Sequence, residues 1–139
     1  MFTPLKANCM LPLVRRIAAD LVLLHRSIEA QRTQLQGLAE VEEIADQANY
    51  ADELRDIRST LADEERRFRA CLAELAALGV EPHVPIDGGV DFPATMNRRT
   101  VRLCWVPEEL EVAHWHDVGQ PREMRRRLDP RAFPTESIR

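Results

Sequence analysis

Apolar residues recur at alternating spacings of three and four along two long stretches of the chain. Val14, Ile17, Leu21, Leu24, Ile28, Leu35 and Leu38 mark the first, with Gln31 as its polar interruption. Leu54, Ile57, Leu61, Phe68, Cys71, Leu75 and Leu78 mark the second, interrupted by Glu64. This is the a/d spacing of a coiled-coil seam, and it predicts two long amphipathic helices. Thr3 followed by Pro4 has the form of an N-cap and a first helical position. Lys6 stands where a capping box wants Glu or Gln, so only half of that motif is present. Pro12 removes a backbone donor: either a short helix ends near Cys9 and a second starts at Pro12, or one helix kinks there. Asn49 is a candidate cap for the second helix, Gly79 a stop, and Pro82 follows it as expected beyond a C-cap. A short link at residues 46–49 makes the pair an antiparallel hairpin. At 1.5 Å per residue each arm is roughly 45 to 50 Å long.

The apolar stripe changes width along the hairpin. Near Pro12 and Gly79 it takes in Leu13, Val22 and Leu23 on one helix, and Leu72, Ala73, Ala76 and Ala77 on the other. A stripe that broad needs a further layer to cover it. The strands downstream are expected to pack there. The thin distal end, with Leu35, Leu38, Leu54 and Ile57, is expected to project or to meet a helical partner.

From Val80 onward the period changes to two. Pro82, Pro85 and Asp87-Gly88-Gly89 are turn chemistry, Val90 to Phe92 reads as a short strand, and Asn97-Arg98 as a turn. Thr100–Trp105 and Leu110–His116 read as a hairpin joined by the four-residue loop Val106–Glu109. Pairing Trp105 with Leu110 places Val101, Leu103, His114 and His116 on one, inward face. Arg102, Cys104, Glu111 and Trp115 then share the other. The fold class is α+β: a long antiparallel, coiled-coil-like helical hairpin over 3–79 with a small antiparallel sheet over 80–117 at its base. These form one domain, 1–117, followed by a basic C-terminal tail, 118–139, that carries Arg125-Arg126-Arg127.

Composition narrows the function classes. The chain has 139 residues, 45% hydrophobic and 30% charged, which suits one globular core. The net charge of −4 argues against broad nucleic-acid binding, and no stacking aromatics interleave the Arg cluster. Arg15, Arg16, Asp20, His25 and Arg26 interrupt the apolar run Leu11–Ile28, so no membrane span is expected. No basic leader precedes an apolar run, so no signal peptide is expected either. Cys9, Cys71 and Cys104 lack CxxC spacing and an even count, which fits free thiols in the cytoplasm. There is no GxGxxG, P-loop, GxSxG or HExxH motif.

The ordered signals resemble a known family. Phe2-Thr3, Ala7-Asn8 and Leu11-Pro12 open the chain. After the hairpin come Leu78-Gly79, Val90-Asp91-Phe92-Pro93, Leu103-Cys104-Trp105, Glu111 and Trp115-His116. Together they resemble the bacterial family called domain of unknown function 2203, over residues 2–117. Two departures stand out: Lys6 replaces a glutamate usual in the opening motif, and Val106-Pro107-Glu108 replaces a glycine-containing loop. The resemblance implies the architecture and supplies no reaction.

Two groups of side chains carry candidate chemistry. His114 and His116 are two apart on one strand and converge, as ligands to a divalent metal such as zinc do. Asp91 is the first choice for a third ligand, with Asp117, His83 and Glu81 as others. The competing reading is that both histidines cover the sheet edge. Arg102, Glu111, Trp115 and Cys104 share the other face as a candidate small-ligand pocket. In that register no histidine lies beside Cys104, which reads as a small buried thiol. No cofactor is predicted, and an enzymatic role is not favoured. The leading expectation is a non-enzymatic interaction module, a homodimer or the partner of another helical protein. Small-ligand or metal binding through His114, His116 and neighbouring acids is the alternative.

Overall fold

The computed structural model describes residues 1–42, 51–129 and 131. Helix α1 runs over Pro4–Glu42 and helix α2 over Ala51–Leu78. The expected link at 46–49 and its Asn49 cap lie outside the described residues, as does the expected tail beyond 131. Contacts that join the helices run in opposite directions. Arg32 pairs with Glu65 at 3.1 Å, His25 meets Phe68, and Phe2 lies beside Gly79, so the hairpin is antiparallel.

The ends of the helices follow their local chemistry. Thr3 Oγ1 accepts from the Lys6 N–H at 3.2 Å, which makes it the cap of α1. Pro12 sits within α1, and one unbroken helix passes through it. At 39 residues α1 is roughly 58 Å long, more than the spacing alone suggested. Gly79 ends α2 at φ +79°, with Gly79 N–H donating to Ala76 O and Val80 N–H to Leu75 O. Those two bonds close a Schellman motif, which needs the left-handed residue that glycine supplies.

The rest is a five-stranded antiparallel meander: β1 Glu81–Pro82, β2 Val90–Met96, β3 Arg99–Trp105, β4 His114–Asp117 and β5 Arg126–Arg127. Asn97 and Arg98, at φ 51° and 65°, form the two-residue turn between β2 and β3. Two positive φ values in sequence give the turn whose twist matches the flanking strands. Phe2 adds a parallel bridge to Ala94.

The register between β3 and β4 differs from the expected hairpin. Leu103 pairs with Trp115, Cys104 with His114, and Arg102 with His116. Pairing Trp105 with Leu110 would have put Cys104 opposite Glu111. The offset is three residues, an odd number, so every β4 side chain changes face. The eight residues 106–113 form a longer connection, held by Asn8: its Oδ1 accepts from Val112 N–H at 2.7 Å. His114 and His116 therefore do not face inward, and Trp115 does.

The inward face carries Val90, Phe92, Ala94 and Met96 of β2, Val101, Leu103 and Trp105 of β3, and Trp115 of β4. These pack with Ala7, Leu11, Val14, Ala18 and Leu21 of α1 and Leu75 of α2 into one core. The strands thus lie at the broad base of the hairpin. They cover only one side of α1: Leu13 and Leu23 stay 46% and 64% exposed. At the distal end Leu54 is buried at 2% exposure, and Leu35, Leu38 and Ile57 are half-buried. The chain beyond Asp117 also joins the sheet, since β5 pairs with β4 and Leu128 packs on the core.

Candidate functional site

The outer face of the sheet places polar groups where a solvated surface would be ordinary, and then buries them. Asp91 on β2 pairs with Cys104 on β3, which pairs with His114 on β4, so the three stand in one row across the strands. Cys104 is fully buried and His116 is 5% exposed. Three segments cover them: the 83–89 loop, the 106–113 connection, and the stretch around the 3₁₀ turn Arg122–Met124.

Asp91 is the hub. Its Oδ1 lies 2.8 Å from His83 Nε2, and its Oδ2 lies 3.2 Å from His116 Nε2. Burial pushes its carboxyl up. The hydrogen bond from His83, with the charge and hydrogen bond of His116, outweighs this and holds it below the ordinary value. His116 Nδ1 donates to the carbonyl of Asp117 at 2.9 Å, which fixes the ring and aims Nε2 at Asp91.

His83 is oriented by its own loop. Arg122 Nη1 donates to His83 Nδ1 at 2.8 Å, so the ring keeps its proton on Nε2 and gives it to Asp91. Arg122 Nη2 pairs with Asp87 at 2.5 Å. Asp87 Oδ1 in turn accepts from Gly89 N–H at 2.9 Å. A Cβ at Gly89 would fall on the His83 ring, so only glycine leaves room for it. The Asp87-Gly88-Gly89 turn is thus also the floor under a histidine.

Cys104 Sγ lies 3.7 Å from His83 Nε2. The sulfur, His83 Nε2 and an Asp91 oxygen all fall within 4.8 Å of one another. The thiol is pushed up to about 12, first by burial and then by the Asp91 charge, with Arg125 pulling the other way. A thiol in that state is not a ready nucleophile. Nor do the three residues form a relay. A relay needs the thiol and the carboxylate on opposite ring nitrogens, and here His83 turns the same nitrogen to both.

A second carboxylate is linked to the cysteine through Arg125, which interacts with both. Glu109 Oε1 accepts from Arg125 at 2.7 Å and from Val106 N–H at 3.1 Å. Its Oε2 lies 2.8 Å from His114 Nδ1, within ion-pair distance but not aligned as a hydrogen bond. Beside the Asp91 hub opens a cavity of about 330 Å³, lined in part by His83, Asp87, Asp91, His116, Gln120 and Arg122.

Of the residues singled out in the sequence, the structure brings together Asp91, Cys104 and His116. His114 shares their face but turns to Glu109. Arg102 pairs with Glu81 at 3.4 Å. Glu111 is exposed in the 106–113 connection. Trp115 lies on the inward face, with the guanidinium carbons of Arg99 and Arg126 at 5.5 and 5.7 Å from its ring centre. Arg102, Glu111 and Trp115 therefore form no common pocket with Cys104. His83, one of the other candidate ligands, joins the cluster, while Asp87 read only as a turn residue, Arg125 only as part of a basic cluster, and Glu109 and Arg122 gave no signal as site residues. The arginines sat in what read as a basic tail, and only pairing of β5 with β4 brings them over the sheet.

Among protein-family models, the one described as Uncharacterized conserved protein (DUF2203) matches residues 1–128. No curated protein and no solved structure matches the chain.

Proposed function

The chain belongs to the DUF2203 family, whose description assigns no reaction, and we propose from its own donor atoms that it binds a divalent transition-metal ion, zinc first. The ligands are His83 Nε2, Asp91 Oδ1 and Cys104 Sγ. The observation that supports this is their convergence: one imidazole nitrogen faces both a sulfur and a carboxylate oxygen. Mixed nitrogen, sulfur and oxygen donors are the set zinc takes, and hard cations such as magnesium do not favour thiolate. His116 acts from behind the ligands. It holds the second oxygen of Asp91 while the Asp117 carbonyl holds its own ring, the arrangement that commonly orients metal ligands. His83 and Asp91 also line the cavity beside the hub, so an ion held there would lie near its wall. Binding would release the Cys104 thiol proton to solvent and would require the imidazole proton of His83 to sit on Nδ1. Free thiols at Cys9, Cys71 and Cys104 suit a reducing compartment such as the cytoplasm.

Cobalt reports directly on the sulfur. The metal-free protein titrated with Co²⁺ should develop a thiolate-to-cobalt charge-transfer band at a single equivalent. Cys104→Ser should abolish the band, and Cys71→Ser should leave it. His83→Ala and Asp91→Ala should weaken zinc binding measured by calorimetry. Absence of saturable binding, or a band that survives Cys104→Ser, would overturn the proposal.

The distal helices carry less. A partner contact through Leu35, Leu38, Leu54 and Ile57 needs those side chains outward, and the hairpin covers Leu54 almost completely.

A further inference from the structure

On the side of α1 away from the sheet core, a row at helical spacing runs through exposed Cys9, Leu13, Arg16, Asp20 and Leu23 to half-buried Ser27. Its members are separated by four, three, four, three and four residues, so they lie in one line along the helix. Two of them are among the large apolar side chains this protein leaves exposed. The side chains of Arg16 and Asp20 make no ion pair or hydrogen bond with any described residue.

The row reads the same in both directions about Ala18. Leu13 and Leu23 are each five residues from it, Arg16 and Asp20 each two, and Cys9 and Ser27 each nine. In a two-fold antiparallel crossing of two α1 helices centred there, Leu13 meets Leu23 of the other copy twice. Arg16 meets Asp20 of the other copy twice. A two-fold interface requires this kind of self-complementarity, in which residue i faces j and j faces i. A parallel in-register pairing would set Arg16 against Arg16 and Asp20 against Asp20, and an antiparallel pairing shifted by one step of the row would set leucine against charge. We propose that this face of α1 is a homodimer interface, and that its occupant is a second copy of this chain in antiparallel register about Ala18. No residue of the row lines the cavity beside Asp91, so the two surfaces can be occupied together.

Three variants test the register. By sedimentation equilibrium the wild-type chain should be a dimer at micromolar concentration. Leu13→Glu combined with Leu23→Glu should make it a monomer of unchanged helix content. Asp20→Arg alone sets arginine against arginine and should weaken the dimer at least about tenfold. Adding Arg16→Asp restores opposite charges at both crossings and should recover it. A purely structural role for these residues would show no such rescue. Ser27→Cys should give an intermolecular disulfide with Cys9 under mild oxidation, absent when Cys9 is also changed to Ser. A strict monomer at every concentration would overturn the proposal and leave the face to another partner. So would a dimer that is indifferent to the charge swap and forms no Cys9-dependent crosslink.

Discussion

Arg122 Nη1 lies 2.8 Å from His83 Nδ1, and this contact decides which nitrogen of the ring keeps its proton. An arginine only donates, so Nδ1 must accept and the proton sits on Nε2, facing Asp91. A metal at Nε2 reverses that tautomer. The proton moves to Nδ1 and meets the guanidinium head-on, so Arg122 opposes the ion that the other residues would hold. Arg122→Ala removes that opposition and is therefore expected to raise zinc affinity. Calorimetric titration of the two proteins measures it. Weaker binding by the variant would mean that Arg122 supports the ion, and that the ring does not ligate through Nε2.

The three cysteines should separate cleanly by reactivity. Cys9 is exposed, Cys71 half-buried and Cys104 fully buried. Burial and the Asp91 charge push the Cys104 thiol up to about 12, so almost none of it is thiolate at neutral pH. Burial, with Glu74 and Asp20, raises Cys71 as well. Alkylation followed by peptide mass mapping should label Cys9 first and Cys71 more slowly. Cys104 should be labelled only in denaturant. Labelling of native Cys104 at the rate of Cys9 would show that the outer face opens readily.

The helical hairpin was legible because its signal is redundant. Fourteen apolar positions repeat one spacing over two stretches, and a single misplaced residue changes nothing. Thr3 and Gly79 work locally, so their roles as cap and stop can be read from neighbours alone. The β3–β4 pairing has no such redundancy. Both parities of the stretch from Leu110 to His116 offer apolar residues, and a three-residue slip still leaves a plausible strand. The contact that ties down the stretch before β4 comes from Asn8, about a hundred residues away, which holds Val112. Cys104 and His116 were recognisable as chemistry-bearing residues, yet that slip set them on opposite faces. Arg122 and Arg125 were illegible for a related reason. A two-residue strand such as β5 has too little pattern to announce itself.

Asp87 gives the fold a defined acid response. Burial raises its carboxyl, but the hydrogen bond from Arg122, the Gly89 N–H and the nearby charges outweigh burial and hold it below the ordinary value. A carboxyl with a lowered folded-state pKa adds stability that is present above its unfolded value. That stability is lost as pH falls through the folded one. The window therefore lies below about pH 4, the ordinary range for aspartate. Asp87→Asn should be less stable than the wild type at neutral pH, and the gap should close as the solution is acidified. Urea midpoints at the two pH values measure this. A gap that stays constant would assign the loss to packing of the 83–89 loop and not to the charge.

Asn8 is the most consequential single polar residue for the shape of the site. Its Oδ1 accepts from Val112 N–H at 2.7 Å, and its Nδ2 donates to Val112 O at 3.2 Å, so one side chain serves Val112 as a neighbouring strand would. Val112 is buried at 3% exposure, where neither backbone group has water to turn to. Asn8→Ala leaves both unpaired, and each buried orphan costs about 1–3 kcal/mol. The expected loss is at least about 2 kcal/mol in urea denaturation, with the slope of the transition unchanged. Asn8→Asp keeps the acceptor but sets a second oxygen against the Val112 carbonyl, so it should fall between the two. The same change should loosen the connection that carries Glu109, whose carbonyl accepts from Trp105 Nε1 at 2.9 Å. Trp105 emission should then shift in Asn8→Ala before the protein unfolds. A variant with wild-type stability and unshifted emission would show that Val112 is held by the core alone and that Asn8 does not tie down the stretch before β4.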